Sequence, residues 1–218
     1  DNPIIRDNQV YSNGQNGIQV NGDICEGGDG SITGALIENN IVHDNNWKGL
    51  SLISISDSTV RNNIIYNNGI LAGAGGIHIV EQGACPAIGV VYSNNNTVIN
   101  NTIVEPRIAA IRINANNVNN VLFNNICISS QPIVLEGSGN YSDASSNLER
   151  SSATGIFVNP SAGDYRLVSN SPAINIGRVS YFSKNAPLED YEGDSRPQGN
   201  GYDSGADERE NKVKKERK

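Results

Sequence analysis

The residues of this chain that could do chemistry are few and scattered. Lys48, His78, Arg107 and Arg112 are cations set among long polar and apolar stretches, and the chain holds only two histidines, His43 and His78. An imidazole or a displaced ammonium can take a proton, and a guanidinium can hold a carboxylate. Three cysteines, Cys25, Cys85 and Cys127, lie far apart without CxxC spacing, which argues against a zinc or redox motif. Asp23, Glu26 and Asp29 share a glycine-rich stretch, and Glu81 opens a second one. Oxygen ligands at that density suit calcium, although no EF-hand spacing is present and an acidic loop is equally at home simply solvated. Trp47, the only tryptophan, immediately precedes Lys48 and offers a flat apolar ring to a sugar or to a neighbouring segment.

His78 and Arg112 each hold the third position of a Gly/Ala-apolar-x-apolar unit, and that unit belongs to a larger pattern. Apolar, any, polar, Asn, any, apolar recurs at Ile5, Ile37, Val60, Val98 and Leu122, as in Ile37-Glu38-Asn39-Asn40-Ile41-Val42 and Val60-Arg61-Asn62-Asn63-Ile64-Ile65. Repeats of this size point to a coiled solenoid of short strands, each coil returning to pair with the last at about 4.8 Å. The short steps define the coil and the long ones contain insertions, Asn21 to Gly34 and Val80 to Asn96. Stacked in register, Asn8, Asn40, Asn63, Asn101 and Asn125 form an amide ladder within a turn. Ile18-Val20, Leu50-Leu52, Ile77-Ile79, Ile111-Ile113 and Ile133-Leu135 face the core, as does Cys127, read as a small core residue. The outward positions of the same strand are Gln19, Ser51, His78, Arg112 and Val134.

Composition agrees with an all-β chain. Of 218 residues 23 are glycine and 6% aromatic, methionine is absent, and charged residues make up 18%. The net charge of −7 disfavours nucleic acid as a partner. No stretch reaches the ~18 apolar residues of a membrane span, and no signal peptide opens the chain. The domain organisation expected is coils over 1–136, a final coil and cap over 137–210, and a charged, disordered tail over 211–218.

The N-N-x-I turns and G-I-x-I strands resemble the repeats of pectate-lyase-like right-handed parallel β-helices, over roughly residues 4–136. Phe157-Val158-Asn159-Pro160, Asp164-Tyr165-Arg166-Leu167, Ser171-Pro172-Ala173-Ile174 and Tyr202-Asp203-Ser204-Gly205-Ala206-Asp207-Glu208 are similar to the ending of many secreted bacterial β-helix proteins. That ending reads as a C-terminal cap over an open core. The start lacks an equivalent, so upstream coils or another subunit are expected end to end.

The resemblance implies that substrate lies along the Gly-apolar-x-apolar strand, walled on one side by the two insertions. It implies an extracellular or cell-surface protein that meets a polysaccharide. In a lyase of uronate glycans, Arg112, His78 or Lys48 would supply the base or neutralise the carboxylate, with Trp47, Arg107, Gln19 and Ser51 contacting substrate and calcium as the possible cofactor. A polygalacturonase-type hydrolase would need paired aspartates on this strand, and there are none. The alternative is a non-catalytic binding or structural module, each cation being an ordinary solvent-facing strand residue. Cys25 and Cys85 sit on the two insertions, two coils apart at their roots, where they form a disulfide or remain two loop thiols. Asp190, Asp194, Asp203 and Asp207 cluster in the cap, where turn hydrogen bonding or a structural ion is expected.

Overall fold

The computed structural model describes residues 1–22, 25, 28–73, 75–85 and 89–210, with backbone alone at 84 and 85. Each coil lays down three short strands, and equivalent strands stack into three parallel sheets. The first sheet contains Ile4–Arg6, Leu36–Glu38, Thr59–Arg61, Thr97–Ile99, Val121–Phe123 and Tyr141–Ser142. The second contains Gln9–Tyr11, Ile41–His43, Ile64–Tyr66, Thr102–Val104, Ile126–Ile128 and Leu148–Arg150. The third contains Ile18–Asn21, Leu50–Ile53, Gly75–Val80, Ala109–Ile113 and Ile133–Leu135. This is a parallel β-helix, and its register is the one the repeat predicts: Ile37 pairs with Ile5 and Val60, and Val98 with Leu122.

The turn from the first to the second sheet is two residues long, and the asparagines account for it. The first residue is left-handed at Asn39, Asn62, Asn100 and Asn124, with φ of 55°, 53°, 50° and 56°, a conformation asparagine tolerates better than most side chains. The second is the ladder residue. Asn8, Asn40, Asn63, Asn101 and Asn125 each donate Nδ2 to Oδ1 of the next coil's asparagine at 2.9–3.1 Å. The ladder runs one coil beyond the expected set, to Asn147. The inner members also donate to a backbone carbonyl of the preceding coil, as Asn63 does to Ile37, so each buried amide is fully used.

A second ladder, not anticipated, stands at the turn from the second to the third sheet. Asn13, Asn45 and Asn68 bond in series, and the next place belongs to Glu105, whose Oε1 and Oε2 both accept from Asn68 at 2.8 Å. A carboxylate takes the two donors but stands in a fully buried position, and burial pushes its pKa up to about 8.

Between the sheets lies one apolar column, from Ile18 and Val20 through Leu50, Leu52, Ile77 and Ile79 to Ile111 and Ile113, with Cys127 inside it as a free buried thiol. The insertions leave the third sheet on one side. Ile32–Thr33 of the first pairs with Ile55–Ser56 of the next coil, and in the second Gln82–Cys85 forms an antiparallel hairpin with Gly89–Val91.

The chain then folds back over its own coils. Ile156, Phe157, Tyr165, Leu167, Ala173 and Ala206 bury against Ile64, Ile126, Ile128 and Leu148 on the outer side of the second sheet. Ala186 and Tyr202 bury against Ile99, Val121 and Phe123 of the first. Arg196 is the inner tie of this segment, donating to Glu208, to the Gly205 and Ala206 carbonyls and to that of Asp203. Asp190 accepts the backbone N–H groups of Glu192, Asp194 and Glu208, Asp203 those of Asn175 and Arg209, and Asp207 that of Leu167, so these three carboxylates serve turns. Residues 211–218 lie outside the described residues.

Candidate functional site

Period-2 alternation sends every second side chain of the third sheet outward. Gln19, Ser51, His78, Arg112 and Val134 pair in that order across successive strands, so they form one row. Gln19 is exposed and holds Asn16 through its carbonyl. Ser51, expected at the surface, is wholly buried, because the Lys48 ammonium lies over it, 3.4 Å from its hydroxyl. His78 is buried as well, beneath Asn114. The accessible members of the row are Gln19, Arg112 and Val134, and the accessible cations on this face are Arg112 and the Lys48 that covers Ser51, with His78 on the strand between.

The electrostatics follow from that burial. His78 Nε2 lies 2.8 Å from Asn114 Oδ1. An amide oxygen only accepts, so the ring proton sits on Nε2. Nδ1 is buried without a hydrogen-bond partner among the described residues. Burial first, and the charges of Lys48 and Arg112 after it, lower the ring's pKa to about 4, which keeps it neutral at ordinary pH. Lys48 is half-buried, and desolvation holds its ammonium below the usual lysine value. Arg112 is ion-paired with Glu136, which follows the next strand of the sheet. Asn114 and Glu136 were missed in the sequence; both lie just beyond a strand end, outside the alternating positions.

The remaining expected residues fall around this row rather than in it. Trp47 is 42% exposed in the turn that leads into the strand Leu50–Ile53. On the next coil the loop bearing Ile70 and Leu71 hydrogen-bonds to Asn45 and Asn46, placing two more exposed apolar residues beside that turn. Arg107 is in the equivalent turn one coil on, donating to Asn67 Oδ1 at 2.6 Å. On the opposite wall, Glu81 accepts from Asn117 at 2.9 Å, and Asp29 is exposed. Asp23 and Glu26 lie outside the described residues, and no three His, Cys, Asp or Glu side chains gather as metal ligands among the described ones. Cys25 is disulfide-bonded; with Cys127 free, the pairing expected is with Cys85, whose side chain lies outside the described residues. His43 is stacked between Tyr11 and Tyr66, at 5.1 and 4.7 Å, as its ladder position implies.

Comparison with known proteins agrees on architecture. A family model for the right-handed β-helix region matches residues 1–89. The A-module of Azotobacter vinelandii mannuronan C-5 epimerase AlgE6 superposes with a TM-score of 0.53 at 17% identity, over 65% of this chain and 36% of that one. The AlgE4 A-module of the same organism gives 0.48 at 15% identity, over 67% and 36%. Pectate lyase Pel9A gives 0.42 at 14%, over 94% and 65%. The chain thus spans about a third of the length of the two epimerase modules. No curated protein matches the sequence. The fold is a right-handed parallel β-helix.

Proposed function

We propose that the outer face of the third sheet binds an extracellular polysaccharide rich in uronic acid. The carrying observation is the cationic pair Lys48 and Arg112 flanking a neutral His78, on the sheet face the cap leaves open, in a chain of net charge −7. An acidic protein that meets an acidic glycan needs local positive charge, and a guanidinium set against one carboxylate is suited to holding another. Trp47 at the edge of the row supplies a ring for the apolar face of a sugar. The epimerase modules that share the architecture act on mannuronan, itself a polymer of uronic acid. The Cys25 disulfide, taken as closed with Cys85, fits an oxidising compartment outside the cytosol.

The lowered ammonium of Lys48 favours a catalytic version of this reading, a β-elimination. In its neutral form the Lys48 amine takes the proton α to the uronate carboxylate while Arg112 neutralises that carboxylate. The electron pair left behind forms the C4–C5 double bond as the C4–O glycosidic bond breaks, and the departing oxygen takes a proton from water. His78, at about 4, is the weaker base and stays neutral beside Lys48. Of the acidic side chains expected to hold calcium, the described ones are Glu81, which accepts from Asn117, and Asp29, which stands exposed.

Calorimetric titration with oligomers of galacturonate, mannuronate and guluronate tests the binding. Saturable binding that weakens in Arg112→Ala supports it; no binding to any of them removes it. Ultraviolet absorbance of unsaturated uronate in the same mixtures, with and without calcium, separates a lyase from a non-catalytic module.

A further inference from the structure

Away from the third sheet, the first sheet and the cap face each other across a cleft of about 420 Å³, lined by Arg6, Asn39, Arg61 and Asn62 on one side and by Leu188 and Glu189 on the other. Asn39 and Asn62 are equivalent residues on successive coils, each left-handed and each directly after a first-sheet strand. Farther along the same column the position is satisfied. Asn100 Oδ1 accepts from Asn124 at 3.2 Å, and Asn124 Oδ1 accepts from the Arg178 backbone at 2.8 Å. Toward the cleft this chain of donors stops, because Asn100 gives its Nδ2 to the Asp203 and Gly205 carbonyls at 3.1 Å and Asn62 gives its own to the Glu189 carbonyl at 2.9 Å. Asn39 Oδ1 and Asn62 Oδ1 are left buried with no donor among the described residues, and Asn62 as a whole is only 4% exposed.

Two acceptors one coil apart, about 4.8 Å, ask for an occupant that donates hydrogen bonds. An anion is excluded by those oxygens together with Glu38 and Glu189. A lone metal ion is small for this volume, and its usual carboxylate set is not gathered here among the described residues. The hydroxyls of a sugar both donate and accept. They match the two amide oxygens and the guanidinium groups of Arg6 and Arg61, which Glu38 holds at 4.0 and 2.7 Å, while the exposed Leu188 offers an apolar edge to the ring. We infer that the cleft between the first sheet and the cap binds a neutral sugar residue, at a site separate from the third-sheet face.

The test is a titration of the full chain with the methyl glycosides of galactose, mannose and glucose, followed by the side-chain amide resonances of Asn39 and Asn62. Calcium chloride alone is a separate arm. Saturable shifts of both amides with at least one glycoside are expected, with affinity read at Asn62 weakened at least tenfold in Asn39→Gly, which keeps the left-handed backbone and gives up no side-chain hydrogen bond among the described residues. The response should survive in Arg112→Ala, so it does not depend on the polysaccharide reading above. No shift with any of the three glycosides, equal shifts in Asn39→Gly, or a response to calcium alone would each overturn it.

Discussion

The second and third sheets come from one repeat, yet their outer faces are used differently. On the second sheet the outward residues under the cap are largely apolar or aromatic: Ile64, Ile126 and Leu148 disappear beneath it, and Tyr66 is covered by Tyr165 at 4.9 Å. On the third, the outward row is Gln19, Ser51, His78, Arg112 and Val134, and among the described residues neither cluster that buries cap side chains includes any of them. Outward side chains of the first kind hold the cap on by removing apolar area from water. Those of the second kind add little to stability and are free to meet another molecule. By covering two faces, the cap decides which one remains for binding.

Removing the cap's inner tie tests this division most severely. Arg196→Ala leaves Glu208 buried without its partner, and a loss of about 3–5 kcal/mol in chemical denaturation is expected. If the faces are independent, oligouronate affinity measured while the variant is still folded stays unchanged. The opposite profile belongs to Arg112→Ala. Its half-exposed ion pair with Glu136 contributes at most about 1 kcal/mol to stability, whereas loss of a charged hydrogen bond to substrate should weaken binding roughly tenfold or more. Comparable losses of stability in the two variants would break the comparison.

Titration separates the regions further. His78 falls from its ordinary 6.5 to about 4 on folding, so the unfolded chain binds the proton first and stability drops as pH falls from 6.5 toward 4. Glu105 rises from 4.5 to about 8, so stability drops as pH climbs through that interval. Between pH 4.5 and 6.5 the two slopes oppose each other and largely cancel; in thermal melts across pH, His78→Gln should uncover a stability that falls from 4.5 toward 8, and Glu105→Gln one that rises from about 4 to 6.5. The smallest effect is optical. Saturating oligouronate should change the emission of Trp47, the single tryptophan, and an unchanged spectrum would place the ligand away from that wall.

Much of this architecture was legible in the sequence because asparagine and the apolar positions recur with fixed spacing around variable insertions. Asn40, Asn63 and Asn101 could be aligned without knowing any distance. Asn147 escaped because the coil that carries it is irregular, and the second ladder escaped because Glu105 interrupts its residue type. The outward row was legible from alternation alone. Its chemistry was not, since the cover over Ser51, the Asn114 contact of His78 and the Arg112–Glu136 pair all join residues whose approach depends on how turns and later coils lie across the strand. The cap's choice of faces left no periodic trace.

The amide ladder also has a sense. From Asn8 to Asn147 every Nδ2 points to the oxygen of the following coil, and Asn147 closes the series on the Ser142 hydroxyl at 3.0 Å. Six aligned amide dipoles add along the axis of the solenoid and polarise one another. The column has a donor pole and an acceptor pole, so a coil stacked in the reverse orientation would bring oxygen against oxygen, and growth of such a stack is vectorial.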